Sequence, residues 1–161
     1  MLLLVRVDDR LLHGQVLGAW VPSLGVELLI VASDEVRADA FRTAVMEACS
    51  DQGLRVEVAS VDDVAGSLKN GKYKDVRAAL VVGELQDALR LHDMGLVFES
   101  VNIGNIHHST DGARNITRSV TLDSKDDEIL ESFLSRGVRI DIRDIPSREP
   151  VSYKIRSAKE A

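Results

Sequence analysis

The chain has 161 residues, of which 26 are acidic and 20 basic, giving a formal net charge of −6. That length suits one domain with a sizeable core, and the acidic balance argues against general nucleic-acid binding, which needs a basic field to displace counterions from phosphates. A single cysteine, Cys49, excludes an intramolecular disulfide and favours a reducing compartment. Its helical surroundings predict a buried structural thiol. The first residues lack a secretory signal's charged leader and cleavage site, and no apolar run approaches the ~20 residues of a membrane span. A soluble, cytoplasmic protein is expected.

Met1 to Val7 is an apolar run broken only by Arg6, as in a strand buried on both faces of a parallel sheet. From Gly14 the spacing becomes helical, with Val16, Leu17, Trp20 and Val21 three and four apart. Val26 to Ala32, Leu54 to Ala59, Ala78 to Val82 and Ser100 to Ile103 read as further strands. Between them, Glu35 to Cys49 predicts one long helix. Its apolar stripe is Val36, Ala40, Phe41, Ala44, Val45 and Ala48, with Asp34 as N-cap and Gly53 beyond its end. Val61 to Leu68 and Glu84 to Met94 predict shorter helices. The alternation implies a single-domain α/β fold, a doubly wound, mostly parallel sheet with helices on both faces.

In the last third, Ile116 to Leu122 reads as a strand and Lys125 to Leu134 as a helix. Val138 to Ile142 reads as a strand whose alternating charges place it near a sheet edge. Residues 1–146 form the domain on this reading, and 147–161 a loosely ordered tail. No internal repeat or low-complexity linker interrupts it.

His13 stands between the first strand and the following helix, at the carboxyl edge of the sheet. There a helix N-terminus offers unpaired N–H groups and partial positive charge to an anion. An imidazole, with a reference pKa of about 6.5, presents a neutral ring nitrogen near pH 7 and can accept a phosphoryl group without an activating base. Transfer then requires alignment and donors for the phosphoryl oxygens. Gly14 clears space for the backbone, the N–H groups from Gln15 onward supply donors, and Arg10 supplies a guanidinium. Arg10 could instead pair with Asp8 or Asp9 and only shape the loop. Arg6 is costly within a buried strand unless paired with an acid. Asp8 and Asp9 repel phosphate, so their expected roles are supporting ones: loop hydrogen bonds and ion pairs with Arg6 and Arg10. Ser33 to Glu35, Gly83 and Asn102 to Asn105 fall on the same edge. Gly104 is expected to provide positive φ or close backbone approach, and His107 and His108 to be exposed.

The block from Arg6 to Trp20 resembles the phosphorylation site of IIB components in the mannose/fructose/sorbose branch of the bacterial sugar phosphotransferase system. The pattern R-[VI]-D-D-R-L-[IL]-H-G-Q-V…W is met by Arg6, Asp8, Asp9, Arg10, Leu11, Leu12, His13, Gly14, Gln15, Val16 and Trp20. VNIGNIHHSTDG (101–112) and GVRIDIRDIP (137–146) are similar to the family's N-[VI]-G loop and final strand. The resemblance implies a phosphotransferase in which His13 is phosphorylated at Nδ1, with Arg10, Gly14 and Gln15 on the phosphate. It implies a IIA phosphocarrier as donor and IIC/IID membrane components as partners. The acceptor would be a hexose or related sugar bound in the membrane complex, and the IIB protein would sit peripherally at the inner face of the cell membrane through those partners. No metal, nucleotide or other cofactor and no nucleic acid is implied. A homo-oligomer stays open, as does the identity of the sugar. His108 departs from the family, which often has an apolar residue there; partner contacts are what that departure touches.

Three rival readings compete with this one. A histidine phosphatase or mutase places R-H-G directly after its first strand, whereas here the triplet is Leu12-His13-Gly14. A receiver-like module would use the acid pair Asp8-Asp9, but an aspartate after the third strand and a lysine after the fifth are missing. A regulatory IIB-like protein uncoupled from transport would carry the same site.

Overall fold

The apolar runs form strands β1 (Leu2–Asp8), β2 (Leu28–Ala32), β3 (Arg55–Ala59), β4 (Ala78–Val82) and β5 (Ser100–Asn105), followed by β6 (Arg114–Thr117), β7 (Val120–Leu122) and β8 (Arg139–Ile142). In the computed structural model, which describes residues 1–108 and 112–155, six of them make one parallel sheet in the order β3-β2-β4-β1-β5-β8. The charged final strand does lie at an edge. The sheet is buried on both faces, which is why β2 and β4 are continuous apolar runs with no exposed residue.

Helices α4 (Val61–Lys69), α5 (Leu85–Asp93) and α6 (Ser124–Ser135) cover one face through Val64, Leu85, Leu91, Leu130 and Phe133. Each such fully buried side chain contributes about 1.5–3 kcal/mol of transfer free energy. The other face is covered by a π-helical turn, Val16–Trp20, running into α1 (Val21–Leu24), and by α2 (Asp34–Ala38) and α3 (Ala40–Glu47). Val16, Trp20 and Val36 are among the buried residues on that side. The expected doubly wound architecture is therefore present.

Several local expectations fail. The predicted helix over 35–49 is two helices, because Asp39 leaves the helical region and accepts hydrogen bonds from the N–H groups of Phe41 and Arg42, both at 3.0 Å. This cap resets the register. Thr43 turns inward while Phe41 and Val45 are 78% and 52% exposed, so of the predicted stripe Val36 alone is buried in the core. Cys49, just beyond α3, is exposed rather than buried. Ser33, not Asp34, caps α2; Asp34 accepts from Val61 N–H and Arg90 instead. The strand expected over 116–122 is a hairpin, β6 and β7, in which Ser119 N–H bonds to Thr117 Oγ1 as the chain reverses.

Of the residues read as a tail, Val151 bridges to Ile142 and Tyr153 donates to Asp127. Positions 156–161, and 109–111 of the loop after β5, lie outside the described residues.

Candidate functional site

At the carboxyl end of β1 the chain makes a tight turn in which Leu11 N–H bonds to Asp8 C=O at 2.9 Å. Leu11 has φ +56°, the only positive φ of a non-glycine residue among those described, and its side chain is buried. A left-handed leucine costs on the order of 1–2 kcal/mol, a strain that burial of the side chain offsets. The turn delivers His13 to the start of the helix, where its carbonyl accepts from Leu17 N–H at 3.0 Å.

Asp8 is the hub. It is fully buried, and its Oδ2 accepts from His13 Nε2 at 2.8 Å, Arg6 Nη2 at 2.8 Å and Nε at 3.2 Å, and Arg10 Nη2 at 3.2 Å. Its Oδ1 accepts from Arg10 backbone N–H at 3.2 Å and Nε at 3.1 Å. Burial alone would raise this carboxyl's pKa, but donation from His13 and Arg10 and the charge of Arg6 hold it down at about 2. The other ring nitrogen, His13 Nδ1, accepts from Gln15 N–H at 3.3 Å. Both contacts agree on one tautomer, proton on Nε2 and lone pair on Nδ1, as assigned from the network.

Arg10 spans Asp8 and Gln15 Oε1, the latter at 2.9 Å, with 42% of its side chain exposed. The loop thus brings together His13, Arg10, Gly14 and Gln15, the four residues expected at a phosphate. Arg6 has the acid partner expected of it. Asp9 does not share that pairing: it accepts from Asn105 Nδ2 and from His107 N–H, tying the loop to the end of β5.

Beneath the hub lie residues whose roles the sequence did not reveal. Arg6 is fully buried; its Nη1 donates to Asn102 Oδ1 at 2.5 Å and its guanidinium sits 5.5 Å from the Trp20 ring centre, with Arg143 5.4 Å away from the same ring. Trp20 Nε1–H is satisfied by Asp144 C=O at 2.9 Å. Gly104 has ordinary φ, but a Cβ there would overlap the Arg6 guanidinium, so close approach is its requirement. A lone arginine inside an apolar strand was the one available signal that such a cradle must exist.

Two clefts flank the loop. One, of about 570 Å³, is lined by Asp9 and Leu11 together with Asp34, Glu84, Asp87 and Arg90. There burial, with Glu84 and Asp34 adding to it, pushes the Asp87 carboxyl up to about 6. The other, of about 350 Å³, contains His107 and His108. His107 is exposed as expected, whereas His108 is half-buried with Nε2 2.7 Å from Asp126. That pairing draws the ring inward, against the exposed position expected. His108, Asp123 and Asp126 have donor atoms within 4.8 Å of one another, a spacing a cation could use. The two aspartates already form the reciprocal N-terminal cap of α6, which accounts for their proximity.

A sequence profile of the family described as PTS system sorbose subfamily IIB component matches residues 2–159. The chain belongs to that family. It is 28% identical over 146 residues to the fructose-specific EIIB component of Bacillus subtilis, covering 91% of this chain and 89% of that one. It is 32% identical over 142 residues to the mannose-specific EIIAB component of Escherichia coli, covering 88% of this chain but 44% of that longer protein. Among solved structures, the N-acetylgalactosamine-specific IIB component 1 of Escherichia coli superposes with a TM-score of 0.88 at 28% identity, over 96% of this chain and 100% of that one. The IIB domain of the sorbose permease of Klebsiella pneumoniae gives 0.85 at 27% identity, over 94% and 92%. The family is a component of sugar phosphotransfer. None of the described helices is long and apolar enough to cross a membrane.

Proposed function

We propose that this IIB protein is a phosphohistidine carrier that takes a phosphoryl group from a IIA protein on His13 and passes it to a sugar held by the IIC/IID membrane components. The observation that supports this most directly is the His13 Nε2 contact with the Asp8 carboxylate at 2.8 Å. It leaves the Nδ1 lone pair at the helix N-terminus, where its one partner is the 3.3 Å contact from Gln15 N–H, a donor that attack by Nδ1 releases to the phosphoryl oxygens. Nδ1 attacks phosphorus in line, a P–N bond forms, and the donor imidazole leaves with the electrons of the P–N bond that breaks. The ring then carries positive charge shared with Nε2–H, and ionised Asp8 stabilises it. Arg10 is close enough in sequence and exposed enough to exchange its contacts with Asp8 and Gln15 for phosphoryl oxygens. The second half-reaction reverses the roles: the sugar hydroxyl oxygen attacks phosphorus, the P–Nδ1 bond breaks with its electrons returning to the His13 ring, and the hydroxyl proton is released to solvent. On this reading the protein works in the cytoplasm, at the inner face of the membrane while engaged with IIC/IID.

The test is incubation with a phosphorylated IIA protein, followed by mapping of the acid-labile phosphate. His13 is the expected position, and His13→Ala abolishes acceptance. A label on His92, His107 or His108 that survives His13→Ala overturns the reading.

A further inference from the structure

The geometry points to Asn102 and Gly104 of β5 as positioning residues that set the tautomer of His13 from below, through Arg6 and Asp8. The inference rests on His13 being the phosphoacceptor, and its test reads the imidazole directly, without a phosphoryl donor.

Four residues lie on one face of two neighbouring strands. Arg6 and Asp8 alternate with the core residues Val5 and Val7, and Asn102 and Gly104 alternate with Val101 and Ile103. Arg6 pairs with Asn102 and Val7 with Ile103, but Asp8 pairs with Asn105, so the register slips by one residue at Gly104. Irregularities of this kind re-aim the neighbouring side chain. Here the slip and the missing Cβ together open the volume that the Arg6 guanidinium fills.

The orientation of the Asn102 amide is fixed by its own partners. Its Nδ2 donates to Asp141 C=O at 3.1 Å, Asp141 Oδ2 at 3.2 Å and Arg143 C=O at 3.2 Å. Its Oδ1 must therefore face Arg6, where it takes Nη1. With Nη1 so engaged and Trp20 over the guanidinium, Arg6 presents Nε and Nη2 to a single oxygen, Asp8 Oδ2. That is the oxygen bonded to His13 Nε2. Asp8 cannot rotate its carboxylate toward Nδ1 without giving up both Arg6 bonds in a place closed to water. The chain of contacts Asp141/Arg143, Asn102, Arg6, Asp8, His13 thus runs from the sheet edge to the reactive ring, and every member but the last acts through its neighbour.

The experiment compares the full chain with Asn102→Ala, Asn102→Asp and Gly104→Ala by histidine ¹⁵N–¹H correlation spectra of the unphosphorylated protein. These separate Nε2–H from Nδ1–H tautomers. The wild type is expected to be Nε2–H at His13. Asn102→Asp adds a carboxylate that draws Arg6 off Asp8, and Gly104→Ala displaces the guanidinium. Either shifts His13 toward a mixture of tautomers and slows phosphoryl acceptance by about 10–100-fold, the usual scale for supports of a reacting group. Asn102→Ala opens space without overpacking and gives the same spectral change should Gly104→Ala fail to fold. Folded Asn102 variants whose His13 tautomer matches wild type overturn the inference, whatever their transfer rate. A tautomer change in a protein later shown to be phosphorylated elsewhere would sustain the positioning and overturn only the choice of acceptor.

Discussion

Two clusters of arginine and carboxylate sit at the same edge of the same sheet and behave in opposite ways. At β1, Arg6, Arg10 and His13 all donate to Asp8, whose carboxyl is held down at about 2. Beside β4, Arg90 spends its fork on Asp34 and Asp62, both at 2.6 Å, and leaves Asp87 with Glu84 and Asp34 as neighbours, so that its carboxyl is pushed up to about 6. Burial is the largest single influence on both and acts upward on both. The number of aimed donors, not the degree of burial, decides the sign.

Removing the acid of the first cluster gives the largest expected effect. Asp8→Asn leaves the Arg6 charge buried without its partner and destabilises the fold by about 3–5 kcal/mol, measurable by denaturant unfolding. The pH dependence follows from the lowered carboxyl: with a folded value of about 2 against an ordinary 3.8, the contribution is complete above pH ~4. It is lost as pH falls toward 2, so the gap between wild type and Asp8→Asn narrows by about 2 kcal/mol across that window. A gap that does not change with pH would show that Asp8 is not held ionised by its donors.

Arg10→Ala is expected to slow phosphoryl acceptance by about 10²–10³-fold, the scale for losing one preorganised charge-stabilising donor. Its effect on melting temperature should be small, because the side chain is 42% exposed. Parallel loss of stability and rate would assign Arg10 to shaping the loop instead. In the second cluster the sign reverses. A carboxyl raised to about 6 costs stability as it ionises, between about pH 4 and 6, so Asp87→Asn raises the melting temperature above pH 6 and not at pH 4. Each kcal/mol regained corresponds to about 2–4 °C for a chain of this size. Smallest of all is Arg90→Ala, whose pairs are exposed: transfer rate and stability should stay close to wild type. A clear loss of transfer in that variant would erase the contrast between the clusters.

β1, β2 and β4 were legible because each is a mainly apolar run closed by polar or glycine residues, the mark of a parallel strand buried on both faces, whereas β6 and β7 read as one strand because local pattern does not show where the chain reverses. The candidate site after β1 was legible because strand, acid pair, histidine and glycine succeed one another within a few residues. What escaped depends on partners distant in sequence. Asp39 looks like a polar residue within a helical stripe until the chain is seen to break there. Periodicity alone points Phe41 and Val45 to the core, yet among the described residues both side chains are left exposed on α3. His108 looks like an exposed loop residue in the sequence because its partner, Asp126, is 18 residues on. Asn102 and Gly104 carried no local sign of their service to Arg6, 96 and 98 residues earlier.

The π-helical turn after His13 also acts as a spacer of fixed count. Val21 N–H reaches back five residues to Val16 C=O, so Val16 to Trp20 holds one residue more than an ordinary helical turn would. Deleting a single residue from this segment would make the helix more regular and favour it locally. It would also swing Trp20 by about 100° relative to His13, away from the stack on Arg6. The segment should therefore tolerate changes of side chain far better than changes of length, a distinction that an insertion and deletion scan of Gly14 to Leu24 would make visible.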